Sequence, residues 1–296
     1  MSTPSTTAVL PGAGPGISMP RAWRKRGLLV GGAILLTVVL MALLAPWLSP
    51  HSPYDQNLDD RLIAPRFLGG QDPAHLLGTD HLGRDYLARM LYGARVALIV
   101  GFGTVALSLP IGVTLGLLGG YYGKRVDLVV MYLVMVRLSL PVVLVALAVV
   151  GLIGSALTII MAVLASLLWD RFVVVTRSLV MQLREREFVL AARAAGASDG
   201  AILWRAILPN IAPPLTVIAT LEMANAILLE AALSFLGLGV KPPEASWGLM
   251  IAEAKDMVFF EPWLINIPGI ALFALVFGIN LFGDGLLHAL SIERGA

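Results

Sequence analysis

The chain of 296 residues contains no cysteine, which excludes disulfide bonds, zinc–thiolate sites and thiol catalysis. It also has little charge, since Asp, Glu, Lys and Arg make up 14% of the residues, against about 25% in a typical soluble domain. The net charge of +2 argues against general nucleic-acid binding. Hydrophobic residues account for 58% of the chain, and 30 Gly come in addition. A soluble fold of this length could not bury so much apolar surface, so the composition predicts an all-α protein that crosses a membrane several times.

Long apolar runs predict six membrane-spanning helices, because a span requires roughly 20 mostly apolar residues. A basic cluster at residues 21–26 precedes the first run, which is too long for the apolar region of a cleaved signal peptide. Most of the 21 Lys and Arg residues fall on one predicted side, so the positive-inside rule predicts that both termini are cytoplasmic. The predicted spans are residues 27–48 and about 94–119, 127–150, 156–175, 211–236 and 264–287.

Polar segments separate and flank these spans, and they are predicted to form loops and terminal tails on the two sides of the membrane. The N-terminal segment is rich in Ser, Thr, Pro and Gly, which predicts a disordered cytoplasmic tail that ends in the basic cluster. The predicted units are the tail at residues 1–26, an outside loop at 49–93, a core at 94–290 with a cytoplasmic loop at 177–210 and an outside loop at 237–263, and a second cytoplasmic tail at 291–296.

The cytoplasmic loop contains a predicted helix–Gly–helix elbow. Residues 182–195 carry apolar and small side chains at helical spacing, and Gly196 can adopt the left-handed conformation that ends a helix. Ser198 is a good N-cap for a second short helix at residues 200–208, which Pro209 is expected to end. The small residues around Gly196 would let the backbone of a partner come close.

At this loop the stretch LAARAAGASDGAILWRAILPN resembles the EAA loop of ABC-importer permeases, in which Glu-Ala-Ala is followed by Gly and, after a fixed interval, by Leu-Pro. Leu190 stands where the Glu usually opens the motif, and Ala206 stands where a His often precedes the Pro. Stretches at residues 76–98, 230–251 and 278–286 resemble the second permease subunit of dipeptide and oligopeptide importers. The matching loop residues are Ala191, Ala192, Gly196, Leu208, Pro209 and Asn210.

The resemblance implies a type I importer permease with no cofactor and no catalytic residue of its own. It implies a second homologous permease, two ATPase subunits that hold ATP and Mg²⁺, an external substrate-binding protein, and a bacterial inner membrane as the location. Peptides would then cross by alternating access. The chain has no P-loop, since its one Gly-Lys pair, Gly123–Lys124, lacks the Gly-rich turn that cradles phosphate. The resemblance assigns the ATPase contact to Ala191, Ala192, Arg193, Gly196, Ala197, Pro209 and Asn210.

Two alternatives stay open from the sequence. An ATP-independent secondary transporter would need buried acidic residues for coupling, and Glu222 and Glu230 could serve, but the elbow would then have no role. A permease of the same architecture could carry another cargo, such as nickel or glutathione, because the binding protein largely sets the choice.

Three polar residues of the fifth predicted span are candidates for the translocation pathway. Glu222, Asn225 and Glu230 lie at offsets of three and eight and share roughly one helical face. Polar groups inside a membrane are costly and usually face the bundle interior or a water-filled path. A lining of the pathway and a hydrogen bond to another span are equally compatible with this pattern.

Other residues of the spans predict how closely two helices pack and where a helix is kinked. Gly112, Gly116 and Gly120 recur at every fourth position of the second span and favour close helix packing within this chain over a subunit interface. Arg137 needs an anionic partner or water, and Pro141 predicts a kink.

The first outside loop carries charged residues and histidines. Asp80, Arg84 and Asp85 are expected to cap the helix that enters the second span or to dock a partner. His51, His75, His81 and His288 are expected to be solvated loop residues and not metal ligands, since the chain has no cysteine to complete such a site.

Overall fold

The computed structural model describes residues 21–70 and 72–292, and in this part of the chain it contains helices and loops but no β-strand. Residues 1–20 and 293–296 of the two predicted tails lie outside the described residues. The α-helices are α1 (Arg21–Leu48), α2 (Tyr86–Tyr122), α3 (Lys124–Leu138), α4 (Val142–Ile153), α5 (Leu157–Leu167), α6 (Asp170–Leu183), α7 (Glu187–Ala194), α8 (Asp199–Ala201), α9 (Leu208–Phe235), α10 (Trp247–Ala254) and α11 (Trp263–Ile292).

The predicted multi-span, all-helical architecture is confirmed. Within the described residues, five helical segments are long and apolar enough to cross a membrane, and they become six if α3 and α4 form one bent span. These two helices meet at an angle of 81°. The bend lies where Pro141 precedes the first turn of α4, so the predicted kink is present.

The glycine stripe of α2 packs against α6 of the same chain, as predicted. A Cβ atom added at Gly112 would lie 2.4 Å from Cβ of Phe172, and one added at Gly116 would lie 2.5 Å from Cβ of Thr176. At Gly120 the added atom would lie 2.8 Å from the carbonyl oxygen of Arg177. Any larger side chain would push the two helices apart, so the stripe fixes the close approach of α6 to α2.

The length of α2 separates two ends of the bundle. Its 37 residues span about 55 Å. At one end, α2 begins directly after residues 49–85, which we name the cap segment. The other end contacts residues 184–207, which we name the elbow. Because α2 begins at Tyr86, the predicted outside loop at 49–93 is shorter than expected, and its last residues belong to the helix.

Charged residues fix the cap segment to the start of α2 and to α10. Asp85 caps α2, its carboxylate accepting the backbone N–H of Ala88 at 2.6 Å, which confirms the predicted capping role. Asp80 pairs with the buried Arg84 at 2.6 Å and with the buried Arg89 at 2.5 Å, and both arginines also contact Glu253 of α10. Burial alone would raise the pKa of Asp80, but the guanidinium groups of Arg89 and Arg84, together with the backbone N–H groups of Arg84 and Leu82, hold that pKa below its usual value.

Candidate functional site

The elbow is a short helix and a left-handed glycine that lead directly into the long helix α9. A turn at residues 184–186 separates α6 from α7, so the single helix expected over residues 182–195 is divided there. Gly196 has φ of +81°, the conformation expected for it. The hydroxyl of Ser198 accepts the backbone N–H of Ala201 at 3.4 Å and caps the next helix, as predicted.

The expected helix end at Pro209 is wrong, because the chain stays helical from Asp199 to Phe235. Residues 202–207 form a π-helical turn in which the backbone N–H of Leu208 bonds to the carbonyl of Leu203, five residues earlier. This wider turn shifts the register just before the proline, whose ring lacks an N–H and would clash with a regular preceding turn. The predicted cytoplasmic loop at 177–210 is therefore helical at both of its ends.

The inner face of the elbow is part of the hydrophobic core. Val189 of α7 and Ile202 and Ile207 of the π-helical turn are buried, and they pack in one cluster with Leu117 of α2 and Phe172 of α6. Protein interiors are close-packed and transmit displacement to their neighbours. A movement of the elbow would therefore displace the ends of α2 and α6.

Polar contacts reinforce this connection at the end of α2. The hydroxyl of Tyr121 donates to Oδ1 of Asp199 at 2.7 Å and accepts from Nη2 of Arg193 at 3.0 Å. The guanidinium of Arg193 also lies over the Tyr121 ring, 5.5 Å from its centroid. Arg193, expected at a partner contact, is thus engaged by its own chain.

The outer face of the elbow is exposed and combines small and apolar side chains with charged ones. Phe188, Leu190 and Trp204 are exposed, and Trp204 retains 65% of its accessible surface. A Cβ atom added at Gly196 or Gly200 would have no heavy atom within 4 Å. Exposed apolar patches of this kind mark interaction sites.

The predicted contact residues divide between the exposed surface of the elbow and of the start of α9, and the packed interior. Asn210 donates its side-chain N–H to the carbonyl of Ala206 at 2.7 Å. The exposed members are Ala191, Arg193, Gly196, Pro209 and Asn210, whereas Ala192 and Ala197 are half-buried against the core.

A cavity of about 320 Å³, lined by both charged and apolar side chains, lies among α3, α4, α6 and α9. Met223, next to the cavity residue Glu222, packs against Gly101 near the middle of α2, so the cavity lies close to the middle of the bundle. It is lined by Arg137, Leu138, Val142, Leu168, Asp170, Arg171, Glu222, Asn225, Leu228 and Leu229.

Two ion pairs line this cavity. Glu222 is only 1% exposed, and its Oε1 lies 2.9 Å from Nη1 of Arg171 and accepts from the Asn225 side chain at 3.3 Å. Nε of Arg137 lies 3.4 Å from Oδ1 of Asp170, and its Nη2 donates to the Leu167 carbonyl. The side chain of Arg171 is 59% exposed, although it belongs to a helix of spanning length. The cavity thus offers both a cationic and an anionic group.

Glu230 lies apart from the other two predicted pathway residues. It is buried at the junction of α9 and α10, where the hydroxyl of Ser234 donates to Oε1 of Glu230 at 2.7 Å and lies 3.4 Å from that of Ser246. Eight residues of helix separate Glu222 and Glu230 by about 12 Å, which explains why one face does not bring them to one cavity.

Asp170 and Arg171 line this cavity but are not among the pathway residues that the sequence predicts. Arg171 falls within the predicted span at 156–175 and lies in the first turn of α6. The sequence feature that could have identified them is the acidic residue beside a basic one in an apolar run, since charges inside a membrane segment usually mark a functional site. Within the described residues, the His and carboxylate groups with metal-ligand geometry lie at the cap end, away from this cavity.

Comparison with known proteins gives the same architecture. Residues 112–291 match the family model described as "Binding-protein-dependent transport system inner membrane component", and residues 20–65 match "N-terminal TM domain of oligopeptide transport permease C". The chain is 42% identical to the "Di/tripeptide transport system permease protein DppC" of Pseudomonas aeruginosa, over 90% of this chain and 88% of that protein. It is 39% identical to the "Dipeptide transport system permease protein DppC" of Haemophilus influenzae, over 90% of each.

A solved structure shows the same fold. The inward-facing MetNI methionine ABC transporter matches with a TM-score of 0.52 at 19% identity, over 68% of this chain and 95% of that one. The elbow motif, the helical architecture and the family match agree. The chain therefore belongs to the family of binding-protein-dependent transport system inner membrane components, the multi-pass permeases of ABC importers.

Proposed function

We propose that the chain is one of two permease subunits of an ATP-driven importer that carries di- and oligopeptides across a bacterial inner membrane. The names of the relatives support this cargo, since they are dipeptide or di/tripeptide transport permeases that align with about nine tenths of the chain. Both termini would then be cytoplasmic, with the elbow on the cytoplasmic side and the cap segment outside.

The shape of the elbow is the observation that carries the proposed coupling. Its outer face is open and carries small and apolar side chains among charged ones, whereas its inner face is buried against α2 and α6. A separate ATPase subunit that closes on the outer face would displace the inner face and change the packing of the spans. ATP and Mg²⁺ would bind to the two ATPase subunits, and this chain would catalyse no reaction.

The charged side chains of the cavity support a zwitterionic cargo. A peptide carries an ammonium group at one end and a carboxylate at the other. Arg171 can bind a carboxylate in the planar, bidentate manner of a guanidinium, and Glu222 can bind an ammonium. We therefore assign Glu222, Asn225 and Arg171 to the lining of the pathway, with the Arg171–Glu222 pair exchanging partners when a peptide enters.

Reconstitution tests this function. The chain would be placed in proteoliposomes with its second permease, ATPase subunits and binding protein, and uptake of a labelled dipeptide would be measured with and without Mg-ATP. We expect uptake only with ATP and the binding protein. Uptake driven by an ion gradient without ATP would identify a secondary transporter, and uptake of nickel or glutathione without dipeptide would overturn the proposed cargo.

A further inference from the structure

The cap segment contains a group of side chains that the transport function does not use. His51, His75 and Asp85 converge at the start of α2, and their ligand atoms all lie within 4.8 Å of one another. Nδ1 of His75 lies 2.8 Å from Oδ2 of Asp85, and Nδ1 of His51 lies 3.6 Å from the same oxygen. We propose that these residues bind one divalent transition-metal ion such as Zn²⁺.

The ligand set has the chemistry that such an ion requires. Two imidazole nitrogens and one carboxylate oxygen form a common set for Zn²⁺ and its neighbours in the first transition row, with further positions filled by water. Ligands about 2 Å from one ion lie roughly 3.3 Å apart in a tetrahedral site. The two distances to Asp85 fall on either side of this value, so small side-chain movements would complete the site.

Asp85 is held in position independently of the histidines. Its Oδ1 accepts the backbone N–H of Ala88 as the N-cap of α2, which directs Oδ2 toward the two imidazoles. Nδ1 of His51 is buried and has no hydrogen-bond partner among the described residues. An ion would give this nitrogen a partner and would replace the hydrogen bond between His75 and Asp85.

The surroundings attract a cation and leave room for water. The group borders a cavity of about 380 Å³, whose lining includes Asp55 and Asp60 as well as Asp85 but no Lys or Arg. The nearby arginine, Arg84, is instead paired with Asp80 and Glu253. The cavity therefore concentrates negative charge beside the two imidazole rings.

A second group with similar spacing, Asp80, His81 and Glu253, does not fit a cation. Both of its carboxylates already pair with Arg84 and Arg89, so an ion would have to displace two guanidinium groups. His81 is consequently a matched control: a histidine on the same segment whose removal should leave metal binding intact.

Bound metal would join two parts of the cap segment to the start of α2. His51 lies three residues after the end of α1, whereas His75 lies 10 residues before Asp85. An ion held by all three would fix the chain that connects the first two spans. This site is independent of the proposed transport function, so failure of either proposal leaves the other standing.

Titration of the intact importer complex with Zn²⁺ tests the site. Chelator-treated complex in detergent would be titrated calorimetrically, and bound zinc would be counted by mass spectrometry. We expect one equivalent per chain, an affinity at least about tenfold weaker in His51→Gln, His75→Gln and Asp85→Asn, and no change in His81→Gln. Asparagine retains the capping ability of Asp85, so the third variant removes the ligand charge without removing the cap.

Two results would overturn the proposal. The first is the absence of stoichiometric zinc binding in a complex that elutes as a single folded species. The second is an unchanged affinity in His51→Gln and His75→Gln, or an equal loss in His81→Gln, which would assign the zinc to other groups.

Discussion

Replacement of Gly196 by leucine is expected to remove most of the ATPase subunits that co-purify with this chain, while the chain itself stays folded. Gly196 lies at the outer tip of the elbow, and an added side chain enters open space. It would occupy the surface that the proposed ATPase contact needs. The left-handed backbone of Gly196 adds a strain of about 1–2 kcal/mol for a residue with a Cβ atom.

A matched variant separates the lost contact from the backbone strain. Gly69 in the cap segment has φ of +98° and also has no heavy atom within 4 Å of an added Cβ atom. Gly69→Leu therefore carries a similar strain at the opposite end of the bundle and should keep its ATPase subunits. A Gly196→Leu complex that retains a full complement of ATPase in pull-down assays would contradict the assignment of the elbow.

Replacement of Glu222 by glutamine is expected to lower ATP-driven dipeptide uptake by about tenfold or more in a complex that still assembles. Glutamine preserves the size of the side chain and its contact with Asn225. It removes the charge that pairs with Arg171 and that would bind the ammonium group of a peptide. Loss of one such charge-assisted contact is worth about 1.5–3 kcal/mol, or roughly tenfold and above in rate.

Glu230→Gln is the control for Glu222→Gln. Glu230 is buried on the same helix but faces Ser234 at the junction with α10, and a glutamine there can still accept the hydroxyl of Ser234. Initial rates of uptake should stay close to those of the unmodified importer. Normal uptake by Glu222→Gln, or an equal loss in Glu230→Gln, would argue against the pathway assignment.

Local sequence signals predicted the features that depend on neighbouring residues. The apolar runs predicted the spans, and Gly196 and Ser198 predicted their turn and cap, because steric freedom and short-range hydrogen bonds decide such geometry. The stripe at Gly112, Gly116 and Gly120 predicted a close helix contact, since its spacing places the three residues on one face.

Tertiary contacts decided the features that the sequence could not predict. Pro209 was expected to end a helix, but the π-helical turn before it, held by buried Ile202 and Ile207, keeps the chain helical. The partner of Glu222 is Arg171, which lies 51 positions earlier and meets it only when α6 packs on α9. Pairings of this kind follow from the packing of helices and leave no local pattern.

The absence of cysteine makes one direct test of the coupling elbow available, because any introduced cysteine is unique in this chain. A cysteine at the exposed Ala191 would be cross-linked within the importer complex by a short bifunctional reagent, with Gly69→Cys at the other end of the bundle as the control. We predict a covalent product of Ala191→Cys with an ATPase subunit and no such product of Gly69→Cys. An Ala191→Cys chain that forms no product with the ATPase, or a Gly69→Cys chain that forms it equally well, would contradict the proposed coupling.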